Sequence, residues 1–319
     1  MNENEIKRLN DLKKAYTSFI KKPENQKLRI KDIANHLKVS EAELLSCQID
    51  SSNLKYLKIL DYNIFFKDLF KSKKVMFLIR SNYIVHEKVV ICSEIEYHKN
   101  KIFYKDKKSL IDFNYHKIEN SFFEKKIHQN KPLLSFQFFD KYGHAILKIF
   151  LKSKDYNIFE SLADKFSFTY DYSLQKNLYQ NNEIIDQKKS INLDSQKNQN
   201  TKKIKTDNLI LRTILEYASQ NKFPIQIHAS GNHSVQYHFG LVRNIMDFGP
   251  WINVIDKNFN IHVMENKISN NFITINEING KCFYQIHILD ENNNLILLIS
   301  ADDKYHKEFN EIIDRRINL

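Results

Sequence analysis

The sequence has 319 residues, which bounds it to about two domains, and its 42% apolar content supports packed cores and excludes a disordered chain. Only five glycines occur, with no GxGxxG or GxxxxGK run, so glycine-rich phosphate loops are excluded. Three scattered cysteines without a CxxC pair exclude a zinc knuckle and a disulfide framework, and fit a reducing compartment. The net charge of +11 suggests a polyanion partner, yet only seven of the 49 basic residues are Arg. Lysine enrichment of this kind marks any exposed face, whereas base and phosphate readers favour the bidentate Arg fork. Nucleic acid is therefore the least favoured partner.

The opening MNENEIKRLNDLKKAY lacks the apolar core of a secretory leader, and no run of 18 apolar residues occurs. A soluble, cytoplasmic protein is expected. Residues 5–50 read as short helices. Ile6, Leu9, Leu12, Ala15 and Phe19 have helical spacing, and Ile30, Ile33, Ala34 and Leu37 form one apolar face. Ser40 followed by Glu43 predicts a capping box. The two helices around KVS have the outline of a helix-turn-helix, but Glu41 and Glu43 stand where a recognition helix would meet phosphates. A structural helical cap is the better reading.

Residues 54–72 read as one more amphipathic helix. From 75 the pattern turns to strands: VMFLIRSNYIVHEKVVICSEIEYH, KIFYK and SLIDFNYHKI. After a turn region, PLLSFQFFDKYGHAILKIFL predicts a hairpin with Gly143 in its loop, and YNIFESLADKFSF predicts a helix. Residues 173–206, rich in Gln, Asn and Lys with no apolar face, read as a linker.

The first pattern then returns: a helix in NLILRTILEYASQ, strands through FPIQIHASGNHSVQYHFG, INVID and FNIHVME, a hairpin in KCFYQIHILDENNNLILLIS and a closing helix. Asp140 and Asp290 stand 150 residues apart, as do Phe159 and Phe309; His86 and His238 are 152 apart. The expected fold is α+β, a tandem repeat of two similar halves, each a large antiparallel β-sheet with flanking helices. The expected divisions are an N-terminal helical cap at 1–53, repeat one at 54–170, a polar linker at 171–206 and repeat two at 207–319.

Several segments in one order resemble the hemin-degrading factor family, the HemS/ChuS-like proteins. GPWIN with the later NIHV is similar to the family's GPWLN and LHL; SNYIVHEKV is similar to NEYAVHE; SFQFFDKYGHAILKIF is similar to its first hairpin. The resemblance implies a cytoplasmic protein of heme uptake and utilisation that handles imported hemin or opens its ring to release iron. A b-type heme would be ligand or substrate. Ring opening, if the protein is an enzyme, would be an oxygenase-type reaction with an external electron donor. A homodimer is a further expectation. The alternatives are a diverged homologue acting as a binding or regulatory protein without heme chemistry, and, last, a DNA-binding protein.

Heme needs an axial base, an apolar slot and cations for its propionates. The family's inter-repeat histidine motif has no counterpart, since residues 167–227 contain no histidine. The resemblance puts His86 forward as the candidate axial ligand to heme iron, because the family's strand motif includes it; a structural histidine is the competing reading. His238 is its repeat mate. His262 matches the histidine of LHL, with packing the favoured role. The family's propionate arginine falls near Phe113, leaving His116 and Lys117 close by. The family's closing strand falls on Leu297, Ile299 and Asp302. Phe248 and Trp251 would line the pocket wall. Catalytic residues are not assigned.

Overall fold

The structure is a computed structural model that describes residues 3–26, 28–49, 53–168 and 201–317. Its elements in chain order begin with α1 (Glu3–Ile20), α2 (Ile30–His36), α3 (Glu41–Ser46), β1 (Leu54–Leu57) and α4 (Tyr62–Leu69). The strands β2 (Lys74–Arg80), β3 (Ile84–Ile91), β4 (Ile95–His98), β5 (Lys101–Tyr104), β6 (Ser109–Phe113), β7 (Asn120–His128), β8 (Lys131–Phe139) and β9 (Ala145–Leu151) lead to α5 (Tyr156–Phe166). Next come β10 (Thr201–Lys205), α6 (Ile210–Gln220), β11 (Ile225–Gly231), β12 (Ser234–Gly240), β13 (Ile245–Phe248) and β14 (Trp251–Asp256). The chain closes with β15 (Phe259–Met264), β16 (Ser269–Ile278), β17 (Lys281–Leu289), β18 (Leu295–Ser300) and α7 (His306–Ile317). Among the described residues the strands belong to two large antiparallel sheets of nine strands each, as the α+β reading expects.

Two compact units emerge, and they do not follow chain order. One comprises 1–77, 90–100 and 114–185; the other comprises 78–89, 101–113 and 186–319. In the first unit β1, β7, β8 and β9 pair in sequence. Phe65, Phe136 and Phe159 are fully buried there, with Phe65 edge-on to Phe136 at 5.1 Å and Phe136 tilted over Phe159 at 4.8 Å. Each such ring contributes about 1.5–3 kcal/mol on burial. The N-terminal helices add a satellite core of Leu9, Leu12, Ile33, Ala34, Leu44 and Cys47. Burial pushes the Cys47 thiol up to about 12, so it stays protonated and inert.

The cap forms as half of the expected box. The Ser40 hydroxyl accepts from the Glu43 backbone N–H at 3.1 Å, while the Glu43 carboxylate takes a bond from Arg8 at 2.9 Å. Burial raises the Glu43 carboxyl and Arg8 opposes that rise. Glu41 is buried in an ion pair with Lys148. Both acids of α3 are thus buried in ion pairs within the first unit.

In the second unit β3, β15, β14 and β13 form one antiparallel run. A longer run is β10–β16–β17–β18–β11–β12–β6–β5. The paired hairpins are alike in detail. Asp140 Oδ1 accepts from the backbone N–H of Tyr142 and His144, both at 2.9 Å. Asp290 Oδ1 accepts from Asn292 and Asn294 at 2.9 and 2.8 Å. Phe159 and Phe309 are both fully buried in their closing helices. No described helix is long and apolar enough to cross a membrane.

Three expectations are corrected. Residues 54–72 are not one helix: Leu54–Leu57 pair with β7, and the helix starts only after Asp61, whose carboxylate accepts from the N–H groups of Asn63 and Ile64. The turn region before the first hairpin is largely strand β7, whose Phe122 and Phe123 are both buried and so break the alternation that would betray it. The polar stretch ends before 206, because Thr201–Lys205 pair with β16 through backbone bonds that need no apolar face. The rest of the linker expectation, residues 171–200, lies outside the described residues.

Candidate functional site

On β3 the two-residue strand period puts Ile84, His86 and Lys88 on one face, and on β12 it does the same for Gln236 and His238. These faces meet inside the second unit. His86 is 0% exposed and His238 is buried. The Lys88 ammonium donates to His238 Nδ1 at 3.0 Å, which places the proton of that neutral ring on Nε2. Phe259, which pairs with Lys88 across the β15–β3 ladder, stacks on His238 at 3.7 Å and meets His86 edge-on at 5.2 Å.

Burial, then Lys88, holds the His86 imidazole down at about 3; Gln236 works weakly the other way. Burial, then Lys88 and His86, takes His238 down to about 2. Burial lowers Lys88 to about 8, against a raising contribution from Asp256. The cluster is thus two neutral rings around one amine. The neutral His86 ring keeps one lone-pair nitrogen of the kind an iron ligand needs, but it has no solvent-facing surface on which a porphyrin could seat. As folded, this pair is sealed core, and iron ligation by His86 requires the core to open.

The GPW segment is the turn joining β13 to β14. Gly249 has φ +56°, a left-handed turn conformation, and Phe248 pairs with Trp251. Phe248 is 80% exposed and Met246 beside it is exposed, while Trp251 is half-buried. Asn253 fixes the turn: its amide donates to the carbonyls of Met246 and Trp251 at 2.9 and 3.1 Å. With its amide hydrogens so used, its Oδ1 accepts from His262 Nδ1 at 2.6 Å. His262 therefore orients the asparagine that holds the hairpin. Arg212 of α6 clamps the same hairpin, donating to Asp247 at 2.8 Å and to Glu265 at 2.6 Å. These bonds raise the guanidinium's pKa and lower that of Asp247.

His116 and Lys117 stand apart from these, in the first unit. They lie exposed in the 3₁₀ turn Tyr115–Lys117, which Asn114 caps by accepting from the His116 N–H at 3.1 Å. Tyr115 and His116 rings lie 4.0 Å apart. Tyr115 also lines a cleft of about 470 Å³ with Tyr62, Tyr97, His98, Lys99 and the exposed Leu60. Sequence reading missed this cleft: its rings come from three separated segments, and no motif spacing joins them. The positions that the resemblance matches to the family's arginines, near Phe113 and Asp302, carry no cation. Phe113, Leu297 and Ile299 are buried, and Asp302 opens the turn before α7.

The expected residues thus divide into the sealed pair His86 and His238, the hairpin group Phe248, Trp251 and His262, and the outlying His116 and Lys117. Among the described residues no cluster of three or more His, Cys, Asp or Glu side chains could hold a bare metal ion.

Comparison with known proteins follows this architecture. The model of the family described as "Haemin-degrading HemS.ChuX domain" matches the chain twice, over residues 38–166 and 190–315. No curated protein matches in sequence. Among solved structures, holo-PhuS, a heme-binding protein from Pseudomonas aeruginosa, superposes with TM-score 0.77 at 19% identity, covering 92% of this chain and 93% of that one. The apo form of the same protein gives 0.78 at 19%, covering 95% and 98%. The heme degrading enzyme ChuS of Escherichia coli O157:H7 gives 0.76 at 18%, covering 91% and 94%. At these identities the likeness is one of fold.

Proposed function

The chain belongs to the haemin-degrading HemS.ChuX domain family, and from that premise we propose that it binds a b-type heme as cargo in cytoplasmic heme utilisation. The observation that carries the reading is the double match of this domain, spread over both halves of the chain. The chain's own residues offer the ring an apolar wall. Phe248, Met246 and Trp251 stand on a turn held by Asn253, His262 and Arg212, so the wall keeps its shape before ligand arrives. An exposed large aromatic costs solvation in the free protein and recovers it when a flat apolar ligand covers it.

Hemin titration under anaerobic conditions tests this. A saturable Soret band is expected, and Phe248→Asp should weaken hemin affinity at the Phe248 hairpin at least tenfold, since it sets a carboxylate against the ring. A protein that shows no saturable band would end the reading. His86→Ala should leave the Soret maximum where it is, because the side chain is sealed; loss of the band in a folded His86→Ala protein would return His86 to the role of iron ligand.

Ring opening is a second reading, favoured by the family's description as haemin-degrading. It needs oxygen and electrons from an external donor, and it would release iron. Adding reductant and oxygen to the hemin complex, with catalase present, should then bleach the Soret band within minutes. A band that persists leaves carriage as the function.

A further inference from the structure

The two halves differ at one set of equivalent positions. In the second half Arg212, Asp247 and Glu265 form an ionic clamp. The residues 150 positions earlier are Tyr62, Tyr97 and Tyr115. They occupy matching elements: Tyr62 opens α4 as Arg212 sits in the first turn of α6, Tyr97 lies on β4 as Asp247 lies on β13, and Tyr115 opens the same 3₁₀ turn as Glu265. The same register pairs Asp140 with Asp290 and Phe159 with Phe309, so the correspondence does not depend on these three.

In the first half three rings therefore stand where the second half has a salt-bridged lock. Tyr62 lies 5.3 Å from Tyr115, and Tyr97 stacks on the buried Phe66 at 4.4 Å. The rings line the 470 Å³ cleft, a volume within the range of about 300–1,000 Å³ typical of small-molecule sites. His98, at the position of Phe248, is exposed at its rim. Lys99 lines it too, and Lys117 follows Tyr115 by two residues. Leu60, 85% exposed, places an apolar side chain at the mouth. The acid in the lining, Asp61, is already engaged by the first N–H groups of α4. Besides Asp61 and Asn63 the lining offers aromatic faces, an imidazole and the Lys99 cation around one opening. That combination matches a flat conjugated ring with carboxylate arms.

We propose that this tyrosine-lined cleft is a second tetrapyrrole site, in which the ring lies against Tyr97 and Tyr115, Lys99 and Lys117 meet the propionates, and His98 supplies an imidazole at the rim. It rests on the heme-binding reading above and is separable from it.

The test is the stoichiometry of hemin titration on the full chain. The wild type should take up two equivalents. The exposed pair His98→Ala/Lys99→Glu should remove one of them, and Phe248→Asp should remove the other. Iron-free protoporphyrin IX should still compete for the cleft in His98→Ala and should lose at least fivefold in affinity in Tyr115→Ala, which separates ring stacking from iron ligation. If the wild type saturates at one equivalent, and Phe248→Asp removes it, the cleft is rejected while heme binding stands. If there is no saturable uptake at all, both fall. His36→Ala, an exposed histidine on α2, is the control: losing an equivalent there would show adventitious binding to surface imidazoles and would overturn the proposal.

Discussion

At the residue scale, the histidine pair is the most consequential arrangement in the second unit. His86 and His238 pack on Phe259 beside Lys88; burial holds both rings neutral and lowers the Lys88 ammonium to about 8. An imidazole that stays neutral in the fold but titrates near 6.5 in the unfolded chain makes the unfolded state the better proton acceptor below that pH. Stability is then lost as pH falls from about 6.5, and for His86 the loss continues down to about 3. By pH 5 each ring contributes about 2 kcal/mol of that loss. Lys88 acts in a different window: its cost is present in full below pH 8 and is gone by about 10.5. His86→Leu should therefore cut the pH slope of the urea midpoint between 6.5 and 5 by about a quarter, because burial holds His238, His228 and His287 down as well. Parallel slopes for the two proteins would show that His86 is not buried neutral. The sequence made His86 conspicuous, as one polar residue in a β-branched run, and the 152-residue spacing named its partner. It did not reveal that both rings pack on Phe259, because facing is a property of strands 150 residues apart in the chain. Lys88 and Phe259 carried no signal at all.

At the element scale, the two hairpins show how much a repeat can share and where it must diverge. Gly143 and Asn293 hold the same turn position, with φ +79° and +62°, and each N–H donates to the carbonyl of its aspartate at 3.0 Å. Asparagine tolerates this left-handed region, so backbone alone does not demand glycine. The demand in the first half comes from the cap: a Cβ on Gly143 would lie 2.2 Å from Ser40 Oγ. Gly143→Asn should therefore destabilise by about 2 kcal/mol or more, while Asn293→Gly should stay within about 1 kcal/mol. Thermal denaturation of both decides it, and equal effects would sink the argument. Element type was legible wherever periodicity was clean, as in α6, β11, β12 and the two hairpins. It failed at β1, where four residues are too few to show a period, and at β16 and β10, whose Asn- and Lys-rich strands are stabilised by ladder bonds.

At the scale of the whole molecule, the repeat in sequence is not the unit in space. The second unit takes residues 78–89 and 101–113 from the first half of the chain. Strand β15 pairs with β3, and β12 pairs with β6. Residues 201–319 alone would present both of those edges unpaired. Such a fragment is expected to fold only by association with a second copy, giving helical and strand signal that depends on concentration. A fragment that is monomeric by light scattering and unfolds cooperatively at sub-micromolar concentration would contradict this.

That borrowing of strands has a consequence in time. Residues 78–113 leave the ribosome well before the strands they pair with. At roughly 5–20 residues per second, the 200 or so residues still to come take on the order of 10–40 s. For that interval β3, with its valines and isoleucines, is an open edge in a crowded solution. Speed of translation through the second half, and the holdases that guard nascent chains, thus become determinants of yield that no property of the finished fold would disclose.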